Sequence, residues 1–216
     1  MSYEPLTIEA ESEAHPVKVN RRTIAKQRTR EKVLEAARTL FIQRGYEGAT
    51  IRDIAQAAGM STGAVFANFA DKSELFDAII KGDLELLHEQ MSAAAANAKG
   101  VEQVLLGMFG AGYSLYLKQL PMVQAVISAS WTRDANNENE HRVALKPLLA
   151  LVEAALKRGV ADGEIAKTVD LGLLLDTVWD LYLVNYRRAV FDELGVEQLT
   201  ARLSTQLSML LRGARP

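Results

Sequence analysis

Apolar residues at Val33, Ala36, Ala37, Leu40 and Phe41 follow the i, i+3, i+4, i+7, i+8 spacing of one helical face, and Gly45 stops the pattern. The spacing predicts a first helix that begins near Lys26. Thr50 with Asp53 three residues on reads as a capping box, opening a second helix whose buried stripe is Ile51, Ile54, Ala55 and Ala58. Gly59 ends that helix after barely two turns. Ser61 is placed to cap a third helix that turns Val65 and Phe69 inward and ends near Asn68. Asp71 with Glu74 reads as a second capping box, opening a long helix that runs to about Ala96.

Beyond Gly100 every segment has helical periodicity, with expected spans 101–118, 121–132, 142–161, 169–191 and 196–212. Pro121, the polar run TRDANNENE, the ADGE turn and ELG separate them. No alternating strand pattern and no internal repeat is present. The predicted fold class is all-α, with about nine helices. Residues 1–20 are polar, contain two prolines and lack periodicity, which predicts a disordered tail.

Composition narrows the function. Hydrophobic residues make up 49% of the 216, enough for a core, and the absence of cysteine excludes disulfides and thiolate metal sites. His15, His88 and His141 lie far apart without ligand spacing, so neither a metal nor another cofactor is expected. The start carries four acids and no base, opposite to a secretory signal, and LGLLLDTVWDLYLV is interrupted by two aspartates. The expectation is a cytoplasmic protein that makes no use of a membrane.

The net charge of −2 conceals an uneven distribution, because residues 18–72 carry eleven bases against five acids. Two short helices joined by a glycine-containing turn inside a basic segment fit a helix-turn-helix. Such a module presents the N-terminal residues of one short helix to base edges in the major groove, while the preceding helix crosses it and braces it.

In the stretch FIQRGYEGATIRDIAQAAGMSTGAVFANFADKSELF the chain resembles the tetracycline-repressor-like (TetR) family of bacterial transcription regulators. Gly45, Thr50, Ile54, Ala55, Ala58, Gly59, Met60, Ser61, Gly63, Phe69, Lys72 and Leu75 carry the likeness. It implies a helix-turn-helix DNA-binding domain over 21–76 and a helical ligand-binding and dimerisation domain over 77–216. It further implies a homodimer built on the last two helices, a palindromic double-stranded DNA operator and a small-molecule effector, with repression the commoner outcome. The remaining two thirds agree with the family in length and helicity alone. Two positions depart from the family pattern, Phe66 standing where tyrosine is usual and Asn68 where histidine is frequent.

The exposed side of the third helix supplies the candidate readers. Thr62, Ala64 and Asn68 are expected to meet bases or phosphates, and Gly63 lets the backbone approach closely. Ser61 reads either as a cap or as a contact, and Phe66 as packing or as a partner for a thymine methyl. Thr50 and Arg52 are candidate backbone clamps, and the resemblance assigns Lys72 to a phosphate. Arg28, with Arg21, Arg22, Lys26 and Arg30, either extends the clamp as an arm or forms a solvated basic run.

In the second domain Phe109, Tyr113, Tyr116, Met122, Trp131, Trp179, Tyr182 and Tyr186 offer large surfaces with a few polar tips, suited to a hydrophobic or amphiphilic ligand. Asp176 and Asp180 stand four apart on an apolar helix and need a partner: Arg187 or Arg188 of the same or a partner subunit, solvent, or a cationic or hydrogen-bonding ligand. Gly107, Gly110 and Gly112 lie in a helical pattern with no preceding strand, which favours close packing over a phosphate loop. No nucleophile, base and acid converge in the sequence, so no enzymatic activity is expected. The alternative is a DNA-binding regulator whose second domain binds a protein partner in place of a metabolite.

Overall fold

The computed structural model describes residues 21–96, 98–131 and 135–216, without the side chains of 21, 22 and 135–137. The expected tail therefore lies outside the described residues, as do the side chains of Arg21 and Arg22. The described residues form α1 (Arg21–Gly48), α2 (Ile51–Ala57), α3 (Thr62–Phe66), α4 (Lys72–Ala96), α5 (Val101–Tyr116), α6 (Leu120–Ser130), α7 (Ala135–Ala161), α8 (Leu171–Phe191) and α9 (Val196–Gly213). A 3-10 turn, Leu117–Gln119, links α5 to α6.

Local chemistry explains the short elements. Thr50 Oγ1 accepts from the Asp53 backbone N–H at 3.2 Å, and the Asp53 carboxylate accepts from the Thr50 N–H, closing the expected box at the start of α2. Gly59 then adopts φ 67°, a left-handed value that costs other residues energy, and so turns the chain toward α3 within a few residues. The box at α4 differs from expectation. Asp71 accepts from the Glu74 N–H at 2.8 Å, but the Glu74 side chain reaches the Ala70 N–H rather than that of Asp71.

Three boundaries depart from the sequence reading. The first helix starts upstream of Lys26 and leaves helical backbone values at Gly45. The third ends at Phe66, shorter than expected. Part of the TRDANNENE run is helical, because α7 begins at Ala135, so the expected linker is mostly a helix start. Polarity alone does not break a helix when neither glycine nor proline interrupts it.

Two hydrophobic clusters result. The first joins Val33, Ala37, Leu40 and Phe41 of α1 to Ile54 and Ala55 of α2, Val65 of α3, Leu75, Phe76, Ile79 and Ile80 of α4, and Met122 of α6. Phe41, Tyr46 and Phe76 form a ring cluster with centroids 4.8 to 5.7 Å apart. The second runs from Leu87 to Ala214 over α4, α5, α7, α8 and α9. Helix α4 contributes to both, and α6 packs on α1 as well as on α8. Fully burying a side chain such as Phe41 or Leu105 contributes about 1.5–3 kcal/mol, so each cluster is a core in its own right.

Candidate nucleic-acid interface and effector cavity

Helix α3 is held from below and open above. Val65 and Phe69 are buried, whereas Ser61, Thr62, Gly63 and Phe66 face solvent and Ala64 is half-buried. Phe66 is 54% exposed, so it does not pack in the core. Ser61 Oγ accepts from the Ala64 N–H at 3.2 Å, spending its acceptor on the cap. Asn68 is half-buried: its Nδ2 donates to the Ala64 carbonyl at 2.9 Å, and its Oδ1 is buried without a partner. The side chain expected to read bases is therefore turned back onto its own helix.

The basic residues divide in the same way. Arg28 and Arg52 are exposed, as is Thr50 at the entrance to α2. Arg30 lies 4.2 Å over the Phe69 ring and donates to the Asn68 carbonyl at 3.0 Å, bracing the end of α3. Lys72 sits over the Tyr46 ring at 4.2 Å and donates to the Tyr46 carbonyl at 2.9 Å. These contacts offset the unfavourable position of a cation at the start of α4. They also show that the lysine has an intramolecular role beside the expected phosphate.

A second site lies deeper. Helices α4, α6, α7 and α8 line a partly open cavity of about 140 Å³ whose wall is mostly aliphatic and aromatic, from Leu84, Leu87, Val123, Ile127, Leu145 and Leu183 among others. Of the residues expected to meet a ligand, Tyr116, Met122, Trp179 and Tyr182 line it, with Tyr186. Phe109 and Tyr113 lie behind the wall as core, Phe109 stacked on Tyr182 with centroids 4.7 Å apart. Trp131 stands 86% exposed just past the end of α6, outside the cavity.

Asp176 and Asp180 face solvent on α8 and do not line the cavity. Arg188 pairs with Asp192, and Arg187 lies over the Phe191 ring. The arginines expected to answer the two aspartates are thus engaged at the end of α8.

Asp83 of the cavity wall was not legible beforehand. Asp83 is buried, and both carboxylate oxygens hold Arg38 of α1: Nη2 is 2.6 Å from Oδ1 and Nη1 is 3.1 Å from Oδ2. Gln119 Oε1 takes a further bond from Arg38 Nη1 at 3.0 Å, and the Tyr116 hydroxyl donates to the Asp83 carbonyl at 2.8 Å. Burial first, then the Asp83 carboxylate, pushes the Tyr116 phenol well above its ordinary pKa, so it stays protonated. Tyr182 and Tyr186 share a hydroxyl bond of 2.8 Å, and Gly112 is the residue that makes room for it, because a Cβ there would collide with the Tyr182 hydroxyl.

Among the described residues no helix is long and apolar enough to cross a membrane. The sequence profile described as "Bacterial regulatory proteins, tetR family" matches residues 33–79, the segment that holds α2, α3 and the start of α4. The chain is 30% identical over 165 residues to the HTH-type transcriptional repressor AcnR of Corynebacterium glutamicum, covering 72% of this chain and 80% of that one. With AcnR of Corynebacterium efficiens the identity is 40% over 80 residues, 37% of this chain and 40% of that relative.

Among solved structures, the regulator FadR from Bacillus subtilis, in complex with stearoyl-CoA, superposes with a TM-score of 0.69 over 86% of this chain and 99% of that one, at 19% identity. At that identity the likeness concerns the fold. The profile match, the relative matched over 80% of its length and the exposed short helix agree, and this chain belongs to the tetR family of bacterial regulatory proteins as a helix-turn-helix transcription regulator.

Proposed function

We propose that the protein is a homodimeric repressor that leaves a palindromic DNA operator when a small apolar or amphiphilic effector occupies the cavity between α4, α6, α7 and α8. It acts by binding, in the cytoplasm, without catalysis of its own. The observation that carries this reading is the position of α4. Its first turns pack in the cluster that holds α3, and Ile80, Asp83, Leu84 and Leu87 further along form the cavity wall. A ligand that displaces α4 shifts the recognition helix of each protomer and with it the spacing of the pair. On this reading residues 21–76 are the DNA-binding domain and 77–216 the effector and dimerisation domain, and Met122 of α6, a member of the first cluster, also lines the cavity.

The exposed face of α3 is the proposed reader, with Thr62, Gly63, Ala64 and Phe66 toward the bases and Thr50, Arg52 and Arg28 toward phosphates. Lys72 and Asn68 join it only if DNA draws them off their intramolecular partners. Leu173, Asp180, Val184 and Phe191 recur at spacings of seven, four and seven residues, one face of α8. Leu173, Val184 and Phe191 are 66%, 50% and 71% exposed, and Met209 of α9 is 70% exposed. That unpartnered stripe supports the dimer, with Asp180 inside it rather than toward a ligand. The inward leucines Leu174, Leu199, Leu203, Leu207 and Leu211 are buried within the protomer, so they are not the surface a partner would meet.

The test is reciprocal coupling. A compound that binds the cavity should weaken operator affinity about 5- to 150-fold, and operator DNA should weaken its binding by the same factor. A cavity ligand without effect on DNA affinity overturns the switch.

A further inference from the structure

The cavity is mostly apolar, but its few polar groups are not an arbitrary set. The hydroxyls among them spend most of their protons within the protein, and the ring nitrogens of Trp179 and His141 complete the polar lining. The Tyr116 hydroxyl donates to the Asp83 carbonyl, and the Ser130 hydroxyl donates to the Ile127 carbonyl at 2.6 Å. The Tyr182 and Tyr186 hydroxyls bond each other, which leaves one proton between them. Asp83 is an acceptor by nature, and two carboxylate oxygens hold more lone pairs than Arg38 uses. Around Asp83, the one buried carboxylate of the wall, the hydroxyls of Tyr116, Tyr182 and Ser130 therefore present mainly acceptors, beside the ring nitrogens of Trp179 and His141.

Size bears on the guest as well. A volume of about 140 Å³ is close to that of an apolar protein cavity of about 150 Å³ that takes benzene. One ring fills it, and because the cavity is partly open a short chain can extend from that ring.

From this placement we infer that the effector site selects an apolar molecule carrying a hydrogen-bond donor, an alcohol or an amine, that Asp83 is its polar anchor, and that the anchor works by competing with Arg38. A donor brought to Asp83 shares the carboxylate that holds α1 to α4. A guest ending in a carboxylate brings a second anion to an acceptor in a low-dielectric wall, which disfavours it. Recognition and release thus meet in one residue. The inference rests on the effector reading above and names the chemistry of that same site.

The experiment uses the full chain in a Trp131→Phe background, so that Trp179 of the cavity wall is the only tryptophan. Four probes share one body: butylbenzene, 4-phenyl-1-butanol, 4-phenylbutylamine and 4-phenylbutanoate. Binding is followed by Trp179 fluorescence. The alcohol and the amine should each bind at least tenfold more tightly than the carboxylate, and Asp83→Asn should shrink that gap below threefold. The wild-type ranking is decisive by itself if Asp83→Asn does not fold. Equal affinities for all four probes, or a preference for the carboxylate, overturn the inference while leaving the cavity as the effector site. A gap unchanged in a folded Asp83→Asn protein also overturns it, since another group would then make the choice. Failure of every probe, butylbenzene included, overturns both this inference and the cavity as the effector site.

Discussion

Arg38 of α1 grips Asp83 of α4 through two bonds of 2.6 and 3.1 Å, and so ties the helix that braces the DNA-binding core to the wall of the cavity. Asp83 is only 7% exposed. A buried carboxylate without its partner is costly, so Arg38→Leu should lower stability by about 3 kcal/mol, the low end for a broken buried pair because Arg38 is partly solvated. The double variant Arg38→Leu with Asp83→Leu should be more stable than Arg38→Leu alone. Urea unfolding of the four-member cycle checks this, and strictly additive effects would show the pair to be energetically idle.

Gly112 lies where α5 meets α8. Gly112→Ala puts a methyl group on the Tyr182 hydroxyl, at a separation that no packing tolerates, so the ring must move. Overpacking of this kind costs about 1–3 kcal/mol. Because Tyr182 lines the cavity and stacks near Trp179, the same substitution should change Trp179 fluorescence in the free protein. Unchanged unfolding and emission would show that the two helices part at no cost.

Burial holds the phenols of Tyr113, Tyr116, Tyr182 and Tyr186 well above the ordinary tyrosine pKa. Folding therefore favours their neutral forms. The contribution is present in full below the unfolded value of about 10 and is lost as pH rises toward the folded values. Absorbance at the phenolate band should show these four ionising together with alkaline unfolding. Ionisation of all the tyrosines near pH 10 without unfolding would contradict the burial argument.

Thr50 tests the local code. Thr50→Ala removes the side-chain acceptor at the start of α2 and should cost about 0.5–2 kcal/mol. Asp53→Ala removes the reciprocal half of the box and should cost a similar amount, and the two losses should not add because the groups act together. Thermal unfolding of both single variants and the double measures this.

How much the sequence disclosed follows from the range of the forces involved. Thr50, Gly59 and Ser61 act on neighbours within a few residues, so the short helices could be read from spacing alone. Arg38 and Asp83 lie 45 residues apart and meet only because α1 and α4 pack in one register, which no local pattern encodes. Of the aromatic residues expected near a ligand, Tyr116, Trp179 and Tyr182 line the cavity, whereas Trp131 follows the last turn of α6 and is exposed. The resemblance assigns Lys72 to a phosphate, and its bond to the carbonyl of Tyr46 was not legible because that partner is a backbone group which composition does not reveal.

The central claim is that this chain reads DNA through the open face of α3. Duplexes with a randomised core should be selected on the wild-type protein and on Thr62→Ala at equal salt, and the retained pools sequenced. The wild-type pool should converge on one site with two-fold symmetry, as a dimer requires. The Thr62→Ala pool should lose preference at paired positions in the two half-sites, a loss of about 1–3 kcal/mol at those bases. A wild-type pool that stays random, or a Thr62→Ala pool with the same site and the same preferences, would contradict the claim.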